Sequence, residues 1–239
     1  MNELLIRGIE IGRDAIAPDS YLHQIPAIST LDALTLHRPV AFFVGENGSG
    51  KSTLLEAIAV ACGFNPEGGS RNYSFSTYDS HSALCDAVRV IRGYKKPRWG
   101  YFLRAESFYN VATAEEGYSR LARGGPEYYH RCSHGESFLK LMQNNFTGES
   151  IYLLDEPEAA LSPQRQLTLM LEISRCVGQG SQFLIATHSP ILLGFPEAEI
   201  LSFDGGAIRA CRYEETESYR VTKLFLEHRT QMLREMGML

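Results

Sequence analysis

A short apolar run that feeds a glycine loop of fixed spacing leaves this chain few folds to choose from. Val40-Ala41-Phe42-Phe43-Val44 is rich in β-branched and aromatic residues and reads as a buried strand. It enters Gly45-Glu46-Asn47-Gly48-Ser49-Gly50-Lys51-Ser52-Thr53, which fits the G-x-x-x-x-G-K-[ST] phosphate-binding pattern at every fixed position. Leu54, Leu55, Ile58 and Ala61 then recur at helical spacing, and Gly63 supplies a stop. Strand, loop and helix therefore stand in the order that the pattern needs. Glycine lets the backbone turn successive N–H groups towards an anion, and the helix N-terminus adds partial positive charge. Lys51 is placed to reach the β- and γ-phosphates of a nucleotide, and Ser52 to ligate Mg²⁺.

A second constellation lies downstream. Ile151-Tyr152-Leu153-Leu154 is an apolar strand that ends in Asp155 and Glu156, and such acids are costly there unless a cation compensates them. Asp155 is suited to hold Mg²⁺, directly or through water. Glu156, one residue on, is suited to polarise a water for attack on a γ-phosphate. His188 closes a third apolar strand, Phe183-Leu184-Ile185-Ala186-Thr187. In a parallel sheet Gly45, Asp155 and His188 open at one edge, where open α/β sheets bind ligands.

Strands that alternate with helices point to an α/β fold with a mostly parallel sheet. Residues 3–11 and 33–37 read as strands and residues 12–32 as irregular, while 82–91 has a helical pattern. Residues 100–103 read as a strand, 135–146 and 164–177 as helices, and 200–203 with 207–213 as a hairpin across Asp204-Gly205-Gly206. One or two helices close the chain over 218–237. The 239 residues are expected to form a single domain with a mainly helical lobe inserted at about 64–147.

Hydrophobic residues make up 44% and charged residues 21%, the balance of a globular protein, and no apolar run is long enough to span a membrane. Charges within residues 1–15 argue against a signal peptide, and five scattered cysteines favour reduced thiols, so a cytoplasmic location is expected. A net charge of −5 without a Lys/Arg block gives no support for intrinsic nucleic-acid binding. His130-x-Cys132-x-His134 is not read as a zinc site, because no second Cys/His cluster accompanies it.

Taken together, these motifs resemble the ATP-binding-cassette (ABC) class of P-loop ATPases, and most closely its small stand-alone members. The phosphate loop matches 45–52, the acidic strand end matches Asp155-Glu156, and the dimer loop resembles Glu158-Ala159-Ala160-Leu161-Ser162. The switch histidine resembles His188. The Leu-Ser-Gly-Gly-Gln signature resembles Cys132-Ser133-His134-Gly135-Glu136, with His134 in place of a Gly and Glu136 in place of Gln. The resemblance covers about residues 40–190.

It implies an α/β fold of ABC type with antiparallel strands at the sheet edge, and ATP and Mg²⁺ as cofactors. ATP would lie on Gly45 to Thr53, with Glu156 and His188 catalytic and Ser52 and Asp155 on the metal. Ser133, His134, Gly135 and Glu136 would reach the ATP of a partner subunit in an ATP-dependent homodimer. The position of the family's Q-loop glutamine falls to Glu106, as a further oxygen near Mg²⁺, or to Arg104. Tyr21 is the aromatic considered for adenine, against a plain packing role.

Hydrolysis that drives a cycle in an effector protein is the main functional expectation. The alternatives are the nucleotide-binding subunit of a transporter and a nucleotide-sensing switch in a DNA-repair or defence complex. The segment between Lys51 and Ser133 is too short, and too free of heptads, for a coiled-coil arm.

Overall fold

The computed structural model describes residues 3–70, 82–104 and 134–239. Strand β1 (Ile6–Ile11) pairs antiparallel with β2 (Ala33–Thr35) and β5 (Val88–Arg92) to form a three-stranded sheet. The main sheet has seven strands. Its centre is β3 (Val40–Val44), flanked by β8 (Gln182–Ala186) and β9 (Glu199–Ser202), both parallel to it. Beyond β8 lie β7 (Ser150–Asp155) and β6 (Trp99–Arg104), again parallel. Antiparallel strands finish both edges, β10 (Arg209–Cys211) beside β9 and β4 (Gly69–Ser70) beside β6. This is an α/β fold, a mostly parallel sheet with antiparallel strands at its edges.

Each central strand is buried on both faces, which is why it reads as a continuous apolar run rather than an alternating one. Ala41 and Phe43 of β3, Leu153 of β7 and Leu184 of β8 point to one layer. There they meet Leu54, Leu55 and Ile58 of helix α2 (Lys51–Ala61). The one-turn helices α1 (Pro26–Ser29) and α3 (Leu84–Ala87) pack into the same layer through Ile28 and Leu84. The alternate residues Phe42, Tyr152 and Phe183 face the opposite layer. That layer is closed by α4 (His134–Asn145), α5 (Pro163–Gly178) and the short α6 (Pro190–Leu193).

The amide of Gln182 links the two sheets. Gln182, 1% exposed, accepts from the Ile6 N–H at 2.8 Å and donates to the Ile6 carbonyl at 2.9 Å. Its amide thus reproduces a main-chain pair at the start of β8.

Most expected elements are present, with three differences. Residues 82–91 form one helical turn and then β5, because Val88 and Val90 are drawn into pairing with Ile11 and Ile9. A single helical turn and an edge strand satisfy the same apolar spacing, and tertiary pairing decides between them. For the same reason the described part of the expected helical lobe, up to residue 104, carries three strands and only one helical turn. The irregular segment 12–32 contains two 3₁₀ turns and α1; it buries Leu22, Ala27 and Ile28, and Ile28 lies against Gly50 of the phosphate loop.

The chain closes with one helix, α7 (Glu217–Glu235), which bends at His228 and buries none of its residues. Among the described residues no helix is long and apolar enough to cross a membrane, and Cys62, Cys85, Cys176 and Cys211 are free thiols.

Leu184→Ala, in the middle of β8 and fully buried, should cost about 2–5 kcal/mol. Leu226→Ala, on the exposed face of α7, should change stability by no more than about 0.5 kcal/mol. Urea unfolding of the two variants checks the contrast.

Candidate functional site

The phosphate loop is held from below and from the side. Gly50 has φ +101°, and a Cβ there would sit 2.8 Å from Ile25 Cγ2 and 2.9 Å from Ile28 Cγ1. Only glycine permits this close passage over the segment 25–28. On the other side the Glu46 N–H donates to Asp204 Oδ1 at 2.9 Å, and Ser202 Oγ donates to Asp204 Oδ2 at 3.3 Å. Asp204 follows β9, which pairs with β3, so the sheet itself delivers this brace.

Lys51 begins α2 and is only 4% exposed. Its Nζ donates to the carbonyls of Gly45 and Glu46, at 2.8 Å each. Burial lowers its pKa, against the pull of Glu156, Asp204, Asp155 and Glu158. A desolvated ammonium of this kind gains from any anion that enters the loop. One residue on, Ser52 Oγ donates to Asp155 Oδ1 at 2.8 Å.

Register explains why Asp155 is there. Asp155 stands opposite Ala186 on one side and Arg104 on the other. The Arg104 guanidinium lies 3.5 Å from Asp155 Oδ2 through Nε, and its Nη1 donates to Glu56 Oε2 at 2.8 Å. Glu56 lies one helical turn after Ser52 on α2 and faces the same side. A cleft of about 360 Å³ opens here, lined by Tyr21, Ser52, Thr53, Glu56, Ser82 and Arg104. Tyr21 is half exposed, and its hydroxyl is 2.9 Å from Ser82 Oγ, so it borders the cleft rather than the core.

Glu156 and His188 meet at the adjoining strand ends. Glu156 adopts φ +49° and donates its N–H to the Ala186 carbonyl at 2.9 Å, which turns its side chain out of the sheet. Its Oε1 lies 3.9 Å from His188 Nε2. The His188 N–H donates to Glu158 Oε1 at 2.6 Å, so the turn after Glu156 fixes the histidine loop. Ser189 Oγ, buried beside it, donates to Gln166 Oε1 on α5. A second cleft of about 530 Å³ is lined by Glu46, Asn47, Glu156 and His188. His188 Nε2 and Ser49 Oγ are buried atoms without a hydrogen-bond partner among the described residues. Both therefore suit an entering acceptor.

The residues present fit a nucleotide and a hard divalent cation. The loop glycines leave no side chain over the N–H cradle, and Lys51 adds a buried positive charge. Ser52 and Asp155 offer two oxygens at one point. No cluster of three His, Cys, Asp or Glu that could hold a metal occurs among the described residues.

Ser133 and Glu106 lie outside the described residues. His134 opens α4, and Gly135 follows it. A Cβ on Gly135 would come within 2.5 Å of Arg165 Nη1 and 2.9 Å of the Ala160 carbonyl. Glu136 pairs with Arg165 of α5 at 3.2 Å, while Gly135 lies against the Ala160 carbonyl of the turn that follows Glu156. Asp204, Glu56 and Gln166 carry no motif, and sequence reasoning passed over them.

Gly50→Ala should destabilise the fold by about 1–3 kcal/mol, from a strained φ and the contact with Ile25. A lower urea midpoint checks this, and an unchanged midpoint would mean that the loop can take another path.

Two family models match the chain, an "AAA domain" over residues 24–102 and a second AAA domain over 116–194 whose description also names the AbiEii toxin of a Type IV TA system. The chain is 24% identical over 209 residues to the macrolide export ATP-binding/permease protein MacB of Hahella chejuensis. That match takes in 77% of this chain and only 31% of the curated relative's length. Among solved structures, cbiO1 from Clostridium perfringens, part of the ABC transporter complex cbiONQ, aligns at a TM-score of 0.47 and 16% identity, over 86% of this chain and 91% of that one. The SMC head domain from Thermotoga maritima aligns at 0.42 and 16%, over 75% and 92%. The matched models and the strand–loop–helix site agree on a P-loop ATPase domain of AAA type.

Proposed function

We propose that the protein hydrolyses ATP with Mg²⁺ and that two copies close around the nucleotide. The observation that supports this most is the meeting of Glu156 and His188, 3.9 Å apart, at the strand ends that also carry the Ser52–Asp155 pair. Lys51 exchanges its two loop carbonyls for the β- and γ-phosphates. Ser52 and Asp155 would hold Mg²⁺, which when bound would supply positive charge to the phosphate oxygens. Glu156 takes a proton from the attacking water as that oxygen bonds to the γ-phosphorus and the bond to the bridging oxygen breaks, giving ADP and phosphate. His188 Nε2 holds the γ-phosphate and keeps the water in line.

Dimerisation is supported by the placement of α4. Gly135 is the second residue of α4, whose N-terminal N–H groups favour an anion, and it stands against the loop that follows Glu156. Ser133, His134, Gly135 and Glu136 of one copy would complete the site of the other. The work done by this cycle is passed to an effector protein, and the family model over 116–194, named for a toxin system, favours a defence role over a transport one.

Lys51→Ala should abolish ATP binding measured by calorimetry, and unchanged affinity would overturn the phosphate-loop reading. Glu156→Gln should keep ATP binding while slowing turnover about 10²–10⁴-fold. In light scattering, that variant should run as a dimer with ATP and Mg²⁺ and as a monomer without nucleotide, by mass action. A nucleotide-independent mass, or a dimer that survives Ser133→Arg, would sink the homodimer.

A further inference from the structure

The Arg104–Glu56 pair has no part in the reaction just described, yet it touches the metal site directly. Arg104 ends β6 in register with Asp155, and its side chain is 21% exposed against 8% for Asp155 and 13% for Glu56. The Asp155 carboxylate is thus divided. Oδ1 accepts from Ser52 at 2.8 Å, while Oδ2 faces Arg104 Nε at 3.5 Å. At its other end the guanidinium is tied to Glu56 by a 2.8 Å hydrogen bond, and Glu56 is itself steadied by the Ser82 N–H at 3.3 Å. Four polar side chains, Ser52, Asp155, Arg104 and Glu56, therefore form one chain, of which Ser52, Arg104 and Glu56 line the Tyr21 cleft.

We propose that Arg104 is a positioning residue that acts as a built-in counter-cation of the metal site, shared between Asp155 and Glu56 and handed to Glu56 when a divalent cation binds Asp155. This rests on the reading of Ser52 and Asp155 as metal ligands. Two positive charges cannot share Asp155 without repulsion, and only a partner on the far side of the guanidinium lets it withdraw a short way. Glu56 is that partner. An arginine suits the task because its planar fork can bond two carboxylates at once, which a lysine cannot do with the same geometry. The consequence is a metal site that is neutralised when empty and released by a small movement of one side chain. The pair also sets how tightly the metal is held, because Arg104 opposes binding and Glu56 limits that opposition.

The test is a Mn²⁺ titration of the full chain, read by the electron paramagnetic resonance signal of free Mn²⁺, with circular dichroism to confirm folding. Arg104→Gln should bind Mn²⁺ about tenfold tighter, the order expected for removing one positive charge at this separation in a partly screened site. Glu56→Gln should bind more weakly than the parent. In the Arg104→Gln background the same Glu56→Gln change should do far less, because no guanidinium is left to hold back. A double-mutant cycle reads that non-additivity. A merely structural role for Arg104 would instead weaken binding when it is removed. If Arg104→Gln binds Mn²⁺ no tighter than the parent while Asp155→Asn loses binding, the inference falls and the metal-site reading stands. If Asp155→Asn binds as the parent does, both fall together.

Discussion

Everything at the site depends on the register of four adjacent parallel strands. Ala186 stands between Phe43 and Asp155, and Asp155 stands opposite Arg104. That single row sets where β3 releases the phosphate loop, where the acids emerge and where the histidine loop begins. A slip of one residue in β7 would turn Asp155 to the other face of the sheet and bring Leu154 opposite Ser52. Such a slip is opposed by the core. It would exchange Leu153 for Tyr152 or Leu154 in the α2 layer and break the packing of Tyr152 against Phe146 and Phe183, whose rings lie 4.4 and 4.8 Å from it. Hydrophobic layering thus places the charged groups, and the charged groups need no further scaffold.

Charge is distributed along that row by the same logic. Lys51 is buried on loop carbonyls beside four acids, and Arg104 is buried between two. In the proposed reading each cation lies close to the position that a phosphate or a metal would take, so ligand entry would require short movements of side chains already in place. Preorganisation of this kind keeps reorganisation small at the moment of reaction.

The central sheet and the phosphate loop were legible in the sequence because local chemistry leaves little choice there. Val40 to Val44 is apolar on both faces, and no other element ends in glycines, a lysine and a serine at those spacings. Asp155, Glu156 and His188 were legible for a related reason, since each follows an apolar strand and parallel strands share an edge. Val88 to Arg92 was not, because its spacing suits a helix and only the distant strand Ile6–Ile11 makes it a strand. Asp204 and Glu56 were hidden for another reason. They are single acids in ordinary sequence surroundings, and their value comes from the Glu46 N–H and Arg104, which only the fold brings near them.

The amide of Gln182 carries a consequence for the birth of the chain. It ties β8 to Ile6, across a sequence separation of 176 residues, and β3 waits for β8 on one side and β9 on the other. During synthesis β3, with the phosphate loop that follows it, therefore leaves the ribosome with its pairing partners β8 and β9 still unmade. At about 5–20 residues per second that interval lasts roughly ten to thirty seconds, during which apolar edges such as Val40–Val44 are open to mispairing. A fold whose centre is made first and completed last depends on what shields its first strands meanwhile.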